Sequence, residues 1–319
     1  MNFETWCFIT VLFLSVLVIV LNLKRKPHMF ISKDYEVSLA SSLEEVAQRC
    51  DEEIAKHPKL EKYFNSPVFK DAGKIYLFGG AVRDLALGRK PRDFDVITYA
   101  THEQYSSEAS SAGFQRILQA TDSKSSDDDY DDESDKAAPD KPKNHIREKY
   151  NVDGQELDIW NIRDMQDRPV RLSLNSVLEH QQDFWIIQSV VFDWDGIMYD
   201  IQEKKCICSK NYLDILKSGV VSLVNSSYFA RTNTVAASCR HLLLGRSLTP
   251  ELCKYVMDLI LEDEFSFEKI SDHPKVKFLN LMFGTSEDAV KKCVYEIFQN
   301  LSLADKFSTF TKILEKKNK

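Results

Sequence analysis

Leu77-Phe-Gly-Gly-Ala-Val-Arg-Asp84, followed nine residues later by Asp93-Phe-Asp95, is the stretch that decides the fold of this 319-residue chain. The apolar residues before the glycines predict a strand over 74–78, and the residues after them predict a short helix over 81–87. The aspartates come at the start of a second predicted strand, over 94–99. Side chains two positions apart on a strand point to the same face, so we expect these two carboxylates to lie side by side.

The chemistry of these residues predicts a triphosphate-binding turn next to a metal site. Gly79 and Gly80 have no Cβ, so the backbone N–H groups of the turn can come close to a phosphate. Asp93 and Asp95 present carboxylate oxygens from one strand face, and such oxygens are suited to Mg²⁺. The alternative for the two aspartates is an exposed strand end that only improves solubility.

The net charge of −7 comes from one segment. Residues 122–140 contain nine acidic residues and two lysines, so the rest of the chain is neutral and does not argue against an anionic substrate. This segment has almost no apolar residues, which predicts a disordered acidic loop between two strands. The seven cysteines include no CxxC pair, and we expect them to be reduced thiols in a reducing compartment.

The N-terminus contains a candidate membrane anchor. Residues 6–23 form an apolar run of 18 residues with three polar interruptions, and Lys24-Arg25-Lys26 follows directly. This is about the minimum length for a transmembrane helix, commonly about 20 residues. Positive charge before the run is missing, which argues against a cleaved signal peptide, and the basic cluster after it favours a cytosolic C-terminal side. We therefore expect a single-pass signal anchor, with a cleaved signal or an organellar presequence as alternatives.

Four segments are predicted along the chain. Residues 1–26 form the anchor, and residues 27–72 form a tether and a helical lead-in, where Ser41 and Glu44 predict a capping box that opens a helix. Residues 73–210 form a head in which strands and helices alternate, with a hairpin at Asp153-Gly154. Residues 211–319 are helical, in pieces near 211–216, 226–244, 250–262, 286–300 and 304–316.

The motifs resemble a known family. Gly79-Gly80-Ala-Val-Arg83-Asp84 with Asp93-x-Asp95 resembles the head domain of class II nucleotidyltransferases, which include CCA-adding tRNA nucleotidyltransferases and bacterial-type poly(A) polymerases. Leu157-Asp158-Ile-Trp-Asn-Ile-Arg163 resembles the family strand that carries a third acidic residue. Asp183-Phe184 and the later Asp195-Gly196 resemble a further family segment. The resemblance covers roughly residues 74–240 and implies an α+β, polymerase-β-like head with a mixed sheet, followed by an all-α domain.

The resemblance also implies a reaction and its residues. Asp93 and Asp95 are expected to bind two Mg²⁺ ions, with Asp158 as a third catalytic carboxylate. The expected reaction moves a nucleoside monophosphate from an NTP to an acceptor hydroxyl, with an RNA 3′ end as the expected acceptor. Arg83 and Asp84 can instead brace the short helix as an ion pair. The expected nucleotide-binding residues are Gly79, Gly80, Arg83, Asp84, Lys90 and Asp183.

The chain departs from the family pattern at two places. Gln181-Gln182 stand where the family has two arginines, and Ile187 replaces an asparagine. The base-reading Glu-Asp-x-x-Arg of the family would fall near residues 230–234, where this chain has Ala-Arg-Thr-Asn-Thr. The choice of nucleotide therefore does not carry over. A catalytically inactive relative, acting as a membrane-tethered module that binds RNA or nucleotide, is the alternative function.

Overall fold

The computed structural model describes residues 38–117, 148–161, 184–188, 190–225, 231–261 and 287–317. Within these ranges seven strands form one mixed sheet. In chain order they are β1 (Ile75–Phe78), β2 (Asp93–Thr98), β3 (Gln115–Arg116), β4 (Glu148–Val152), β5 (Gln155–Asn161), β6 (Ile197–Asp200) and β7 (Lys205–Cys208). Their order across the sheet is β3-β4-β5-β2-β1-β6-β7, with β2 and β5 parallel and the other neighbours antiparallel. The predicted α+β head with a mixed sheet is confirmed.

The two faces of this sheet are packed differently. On one face Phe94, Val96 and Leu157 belong to the main hydrophobic core. Buried residues of five helices also belong to that core: α1 (Leu43–Ala55), α2 (Pro58–Phe64), α3 (Pro67–Ala72), α4 (Gly80–Ala86) and α5 (His102–Ser111). On the opposite face a smaller apolar cluster joins Ile97 and Met198 to Ile186 of α6 (Phe184–Gln188).

Helix α1 shows how the sequence builds the covered face. Its apolar residues Val46, Cys50 and Ile54 recur every fourth position and are all buried. The N-cap is Ser42, whose side chain accepts a hydrogen bond from the Glu45 backbone. The predicted box of Ser41 and Glu44 was therefore wrong by one residue, because Ser42 has the extended backbone (φ −150°) that an N-cap requires.

The hairpin between β4 and β5 turns at Asp153 and Gly154, as predicted. These residues have φ values of +53° and +88°, and positive φ at both central residues is the signature of the tightest hairpin turns. The Gly154 N–H also donates to the Asn151 side chain at 2.9 Å. The predicted strand over 114–119 is shorter within the described residues, where β3 covers only Gln115–Arg116.

The second half is largely helical. Its helices are α7 (Tyr212–Ser218), α8 (Arg231–Leu243), α9 (Pro250–Ile260), α10 (Glu287–Gln299) and α11 (Leu303–Lys317). Two short strands, β8 (Val220–Val221) and β9 (Ser247–Leu248), pair in parallel, so this half is not purely α-helical as predicted. Buried Cys239, Val256 and Val290 connect α8, α9 and α10 to the main core.

The 3₁₀ turn Asp193–Asp195 contacts both helix α4 of the head and helix α7 of the helical half. The indole N–H of Trp194 donates to the carbonyl of Val220 at 2.9 Å, and the Tyr212 hydroxyl donates to the Trp194 carbonyl at 2.8 Å. The turn leads directly into β6, which pairs with β1. Packing of the helical half can therefore reach the glycine turn at the end of β1.

Several predictions lie outside the described residues. These include the apolar run over 6–23 and the acidic loop over 122–140. In the part of the chain that the structure describes, no helix is long and apolar enough to cross a membrane. The six cysteines in that part are all free thiols, and four of them are buried. The predicted domain boundaries at 26, 72 and 210 stay predictions.

Candidate active site

The glycine turn joins β1 to α4. Gly79 has φ +59° and ψ −116°, a conformation that residues with a Cβ rarely adopt. Its N–H donates to the carbonyl of Ile197 at 2.9 Å, which fixes the turn to β6. A Cβ on Gly79 would meet only the Asp195 carbonyl, at 3.9 Å. Backbone conformation, rather than lack of space, therefore requires glycine at this position.

Three predicted carboxylates share one face of the sheet. Asp93 and Asp95 occupy alternate positions of β2. In the parallel pair of β2 and β5, Asp95 lies opposite Asp158, and Asp93 lies opposite Glu156. Residues paired in register on neighbouring strands point to the same side. The structure thus brings Asp93, Asp95 and Asp158 together with a fourth acid, Glu156, on the face opposite the main core.

These carboxylates differ in exposure and in their partners. Asp158 is buried, at 3% exposure, whereas 26% of the Asp93 side chain is exposed. Arg92 donates to one oxygen of Asp93 through two nitrogens, at 2.5 and 3.2 Å. Within the described residues no group of three or more His, Cys, Asp or Glu side chains is arranged to hold a metal ion. The face therefore offers a pair of strand aspartates rather than a preformed cage.

Arg83 lies beneath the glycine turn and is buried. Its Nη2 and Nε donate to the Asp84 carboxylate at 2.9 and 3.0 Å, and its Nη1 forms a short ion pair with Asp195. Burial lowers the pKa of Arg83, but these two carboxylates outweigh burial and raise the pKa above its ordinary value. Arg83 therefore braces α4 against the 3₁₀ turn, which is the bracing role considered for it from the sequence.

The remaining predicted residues are only partly placed. Lys90 is exposed in the loop that leads into β2. Asp183 lies outside the described residues, as do Gln181 and Gln182. The structure therefore places Lys90 near the start of the carboxylate strand and leaves the role predicted for Asp183 as a prediction.

Sequence reasoning missed three contacts of the site. Arg92 stands directly before Asp93 and was visible as a neighbour of the motif, but nothing in the sequence indicates that it pairs with that aspartate. Asp195 was noted only as part of a segment that resembles the family, and its partner Arg83 lies 112 positions away. Arg246, which packs on Trp194, has no local signal at all. Long-range pairs of this kind depend on the topology of the sheet, which the motif spacing does not specify.

Comparison with known proteins gives one family match and a short stretch that is similar to known relatives. Residues 75–156 match the model of the "Poly A polymerase head domain" family, which confirms the resemblance drawn from the motifs. A 31-residue stretch is 69% identical to poly(A) polymerase I of Salmonella typhimurium and 64% identical to that of Escherichia coli O157:H7. In each case the stretch is 10% of this chain and 7% of the relative, so the chain matches only a small part of these proteins.

Solved structures give a weaker likeness. A CCA-adding enzyme in complex with ATP aligns at 14% identity and a TM-score of 0.48, over 80% of this chain and 54% of that chain. A tRNA-processing enzyme with CTP aligns at 14% identity and a TM-score of 0.44, over 71% and 57%. The chain thus spans a little over half the length of these structures.

Proposed function

We propose that the protein is a Mg²⁺-dependent nucleotidyltransferase. The proposal starts from the match of residues 75–156 to the poly(A) polymerase head domain family. The protein transfers a nucleoside monophosphate from an NTP to an acceptor hydroxyl, and the acceptor is an RNA 3′ end. One observation supports this most strongly: Asp93, Asp95 and Asp158 share a sheet face at the end of which the glycine turn lies. The name of the short-stretch relatives, poly(A) polymerase I, supports RNA as the acceptor.

The aspartates fit a divalent cation site. Asp93 and Asp95 would hold the Mg²⁺ ions, because both are hard oxygen ligands at alternate positions of one strand. Two bound Mg²⁺ ions lower the pKa of an attacking hydroxyl and neutralise charge on the leaving pyrophosphate. Asp158 adds a buried negative charge opposite Asp95 and so strengthens the attraction for cations. Arg92 pairs with one oxygen of Asp93, where it would compete with a bound cation.

The glycine turn and its neighbours would bind the nucleotide. Gly79 and Gly80 leave the backbone open to a phosphate, since neither carries a side chain there. Lys90 is an exposed cation next to the carboxylate strand and can pair with a phosphate oxygen. Arg83 and Asp84 position the turn through their ion pair. Asp183 is proposed to contact the nucleotide on the strength of the motif alone.

The inactive relative is the second candidate, and two observations favour it. The ion pair of Arg92 with Asp93 occupies a proposed metal ligand, and Gln181-Gln182 replace two expected arginines. Such a protein would still bind nucleotide or RNA at the glycine turn. It would not incorporate nucleotide under any metal condition.

Nucleotide incorporation separates the two candidates. Full-length protein is incubated with each labelled NTP, Mg²⁺ and a mixed pool of small RNAs, in parallel with an Asp93→Ala, Asp95→Ala double variant. A control double variant, Asp71→Ala with Asp214→Ala, removes two exposed acids elsewhere. Incorporation by wild type and by the control, but not by the active-site variant, supports the transferase. No incorporation by folded wild type with any NTP overturns it and favours the binding module.

The apolar run over 6–23 supports a further part of the proposal, that the protein is anchored in a membrane with its remainder cytosolic. Lysines and arginine at 24–26 favour this orientation. Extraction of cell membranes at high pH tests it, with a variant that lacks residues 1–26 as the comparison. The full chain should stay in the membrane fraction and the shortened chain should leave it. Release of both would contradict the anchor.

A further inference from the structure

Helix α11 carries the two most exposed large apolar side chains of the described residues. Leu303 is 87% exposed and Phe307 is 78% exposed. Residues four positions apart lie on the same face of a helix, so these two side chains form one apolar patch, which we call the α11 patch. Single apolar residues on a surface need no explanation, but two neighbouring ones with so little cover do. The other exposed large apolar side chains in the described ranges are less than half exposed: Ile117, Val220 and Val224.

Helix α11 packs on α9 through polar residues. The Lys254 ammonium of α9 lies 3.0 Å from the Asp305 carboxylate, and the Lys312 ammonium lies 2.7 Å from the Asp258 carboxylate of α9. Thr309 lies on the same face of α11 as Asp305 and Lys312, and it is buried. An α-helix turns by about 100° per residue, so this face points away from the α11 patch, which begins two residues before Asp305. The polar side of α11 therefore faces the protein and the patch faces solvent, the reverse of the usual arrangement.

Folding stability does not explain this orientation. The lysines of both ion pairs are about half exposed, and exposed ion pairs contribute little to stability. Apolar side chains turned towards α9 would contribute more, because their burial removes apolar area from water. The outward patch therefore indicates a contact with something other than the described part of the chain.

The charge of α11 favours an anionic partner. The sequence of the helix contains four lysines and two acidic residues, a net charge of +2, and Lys319 follows it. Two copies of such a helix placed face to face would bring like charges together, which disfavours a second copy of this chain as the partner. Apolar residues accompanied by lysines are typical of helices that lie on the surface of anionic membranes.

The N-terminal sequence points to the same partner. The apolar run over 6–23 is proposed above to anchor the protein in a membrane, with the remainder of the chain on the cytosolic side. The cytosolic leaflet of cell membranes carries anionic lipids. A chain that is anchored there meets this surface at a high effective concentration. A helix with only modest affinity for lipid can therefore make a second contact.

We propose that the α11 patch binds an anionic lipid surface. Leu303 and Phe307 enter the boundary between headgroups and acyl chains, and the lysines of the helix attract the headgroups. The helix lies in the plane of the membrane and does not cross it. This inference rests on the membrane anchoring proposed above, to which it adds a second and reversible contact. A second copy of this chain is a different partner, and it is treated below as a competing outcome.

Flotation with lipid vesicles tests the proposal. The chain without residues 1–26 is used, because it lacks the anchor and keeps the compact unit formed by residues 36–319. Vesicles of phosphatidylcholine are compared with vesicles that also contain phosphatidylserine. We expect this chain to prefer the phosphatidylserine vesicles, because the lysines are attracted to anionic headgroups. The Leu303→Gln, Phe307→Gln double variant should bind them about tenfold or more weakly, since two apolar side chains no longer leave water.

The full-length protein gives the matching measurement in the anchored state. It is reconstituted in the same two kinds of vesicle, and hydrogen exchange of the α11 amides is followed. Exchange should be slower in phosphatidylserine vesicles than in phosphatidylcholine vesicles, and the double variant should lose this difference. The control variant Ile117→Thr with Val224→Thr removes two partly exposed apolar side chains outside α11. It should behave like wild type in both experiments.

Stability and oligomeric state separate lipid binding from other roles of the patch. Because both side chains are exposed, the double variant should melt at the same temperature as wild type. A lower melting temperature with unchanged vesicle binding would overturn the proposal and assign the patch to the fold. A wild-type dimer that becomes a monomer in the double variant, with no vesicle binding by either, would assign the patch to a second copy. Binding that does not depend on phosphatidylserine would also overturn the proposal.

The lipid contact and the proposed anchor can fail separately. Vesicle binding by the shortened chain, together with release of the full chain from cell membranes at high pH, would keep the contact of α11 and sink the anchor. Retention of the full chain, with no vesicle binding by the shortened chain, would sink the contact and keep the anchor. Neither result depends on nucleotide incorporation, so the transferase is tested independently.

Discussion

The two faces of strand β2 carry different kinds of side chain. Phe94 and Val96 are fully buried among the helices of the main core, whereas Asp93 and Asp95 point to the face that no helix of that core covers. Each apolar side chain contributes stability through burial, about 1.5 to 3 kcal/mol for a large one. The aspartates contribute none of this and place like charges side by side. One face therefore stabilises the fold, and the other carries the carboxylates that we propose to bind cations.

Phe94→Ala should have the largest effect on stability. Truncating a fully buried phenylalanine removes apolar contacts and leaves a cavity, at a cost of about 3 to 5 kcal/mol. Chemical denaturation measures the free energy of unfolding. A loss below about 1 kcal/mol would mean that this face does not hold the sheet to its helices.

A carboxylate on the covered face should behave unlike those on the open face. Glu148 is buried and contacts Ser106 at 2.5 Å, His102 at 3.0 Å and Arg116 at 2.7 Å, as well as the Tyr150 hydroxyl. Glu148→Ala removes the carboxylate and leaves its partners unpaired, so it should lower the free energy of unfolding by about 3 kcal/mol. Asp95→Ala should cost far less, and the same denaturation experiment compares them. Equal losses would contradict the division of the two faces.

The pH dependence of stability sharpens the same contrast. Burial alone would raise the pKa of Glu148, but hydrogen bonds from Ser106, Tyr150 and His102 outweigh it and leave the pKa below its ordinary value. The stabilisation by Glu148 is therefore fully present above the pKa of the unfolded chain, about 4.3, and is lost as pH falls through the lower folded value. Wild type should lose more stability than Glu148→Gln between about pH 5 and pH 3. If the unfolding free energies of the two proteins fall in parallel with pH, folding does not stabilise the ionised Glu148 carboxylate.

Gly88→Ala tests how tightly the segment before α1 packs against the end of α4. Gly88 has φ +69°, and a Cβ there would lie 2.9 Å from two atoms of Ser38. We expect a loss of about 2 kcal/mol in unfolding free energy from strain and overlap. Gly113→Ala is the matched control, since Gly113 has φ +74° and no atom within 4 Å of such a Cβ. Its loss should be about 1 kcal/mol, from backbone strain alone. Equal losses would mean that Ser38 moves aside freely.

The smallest effect is expected at the exposed ion pair of Lys59 with Asp153, which are 2.7 Å apart and each about half exposed. Lys59→Gln should change the unfolding free energy by about 0.5 kcal/mol or less, because solvent and salt screen such pairs. The change should vanish in 1 M salt. A salt-independent loss of more than about 2 kcal/mol would show that this pair acts like the buried Glu148 contacts.

The sequence predicted the carboxylate face because its signals are local. Two aspartates at alternate positions of a strand must share a face, and Asp153-Gly154 must turn a hairpin, whatever the rest of the chain does. The pairing of Arg83 with Asp195 and the stacking of Arg246 on Trp194 could not be predicted. Such contacts join segments more than 50 residues apart, and only the strand order brings them together.

The cap of α1 shows a smaller limit of the same kind. Ser41 and Ser42 are adjacent, and each is followed three residues later by a glutamate, so the pattern alone does not choose between them. The choice depends on where the chain leaves its extended conformation, and that is set by packing of the segment before the helix. Local pattern thus located the helix but not its first residue.

The most direct test of the account compares activity with stability in Asp95→Asn. Labelled NTP incorporation into RNA and the free energy of unfolding are measured on the same preparation, with Asp71→Asn as an exposed control. We predict that Asp95→Asn loses incorporation by roughly a thousandfold, since several kcal/mol of charge stabilisation disappears, while its unfolding free energy equals that of wild type. Incorporation that persists in Asp95→Asn, or that falls only in proportion to lost folded protein, would contradict the claim that this face is the active site.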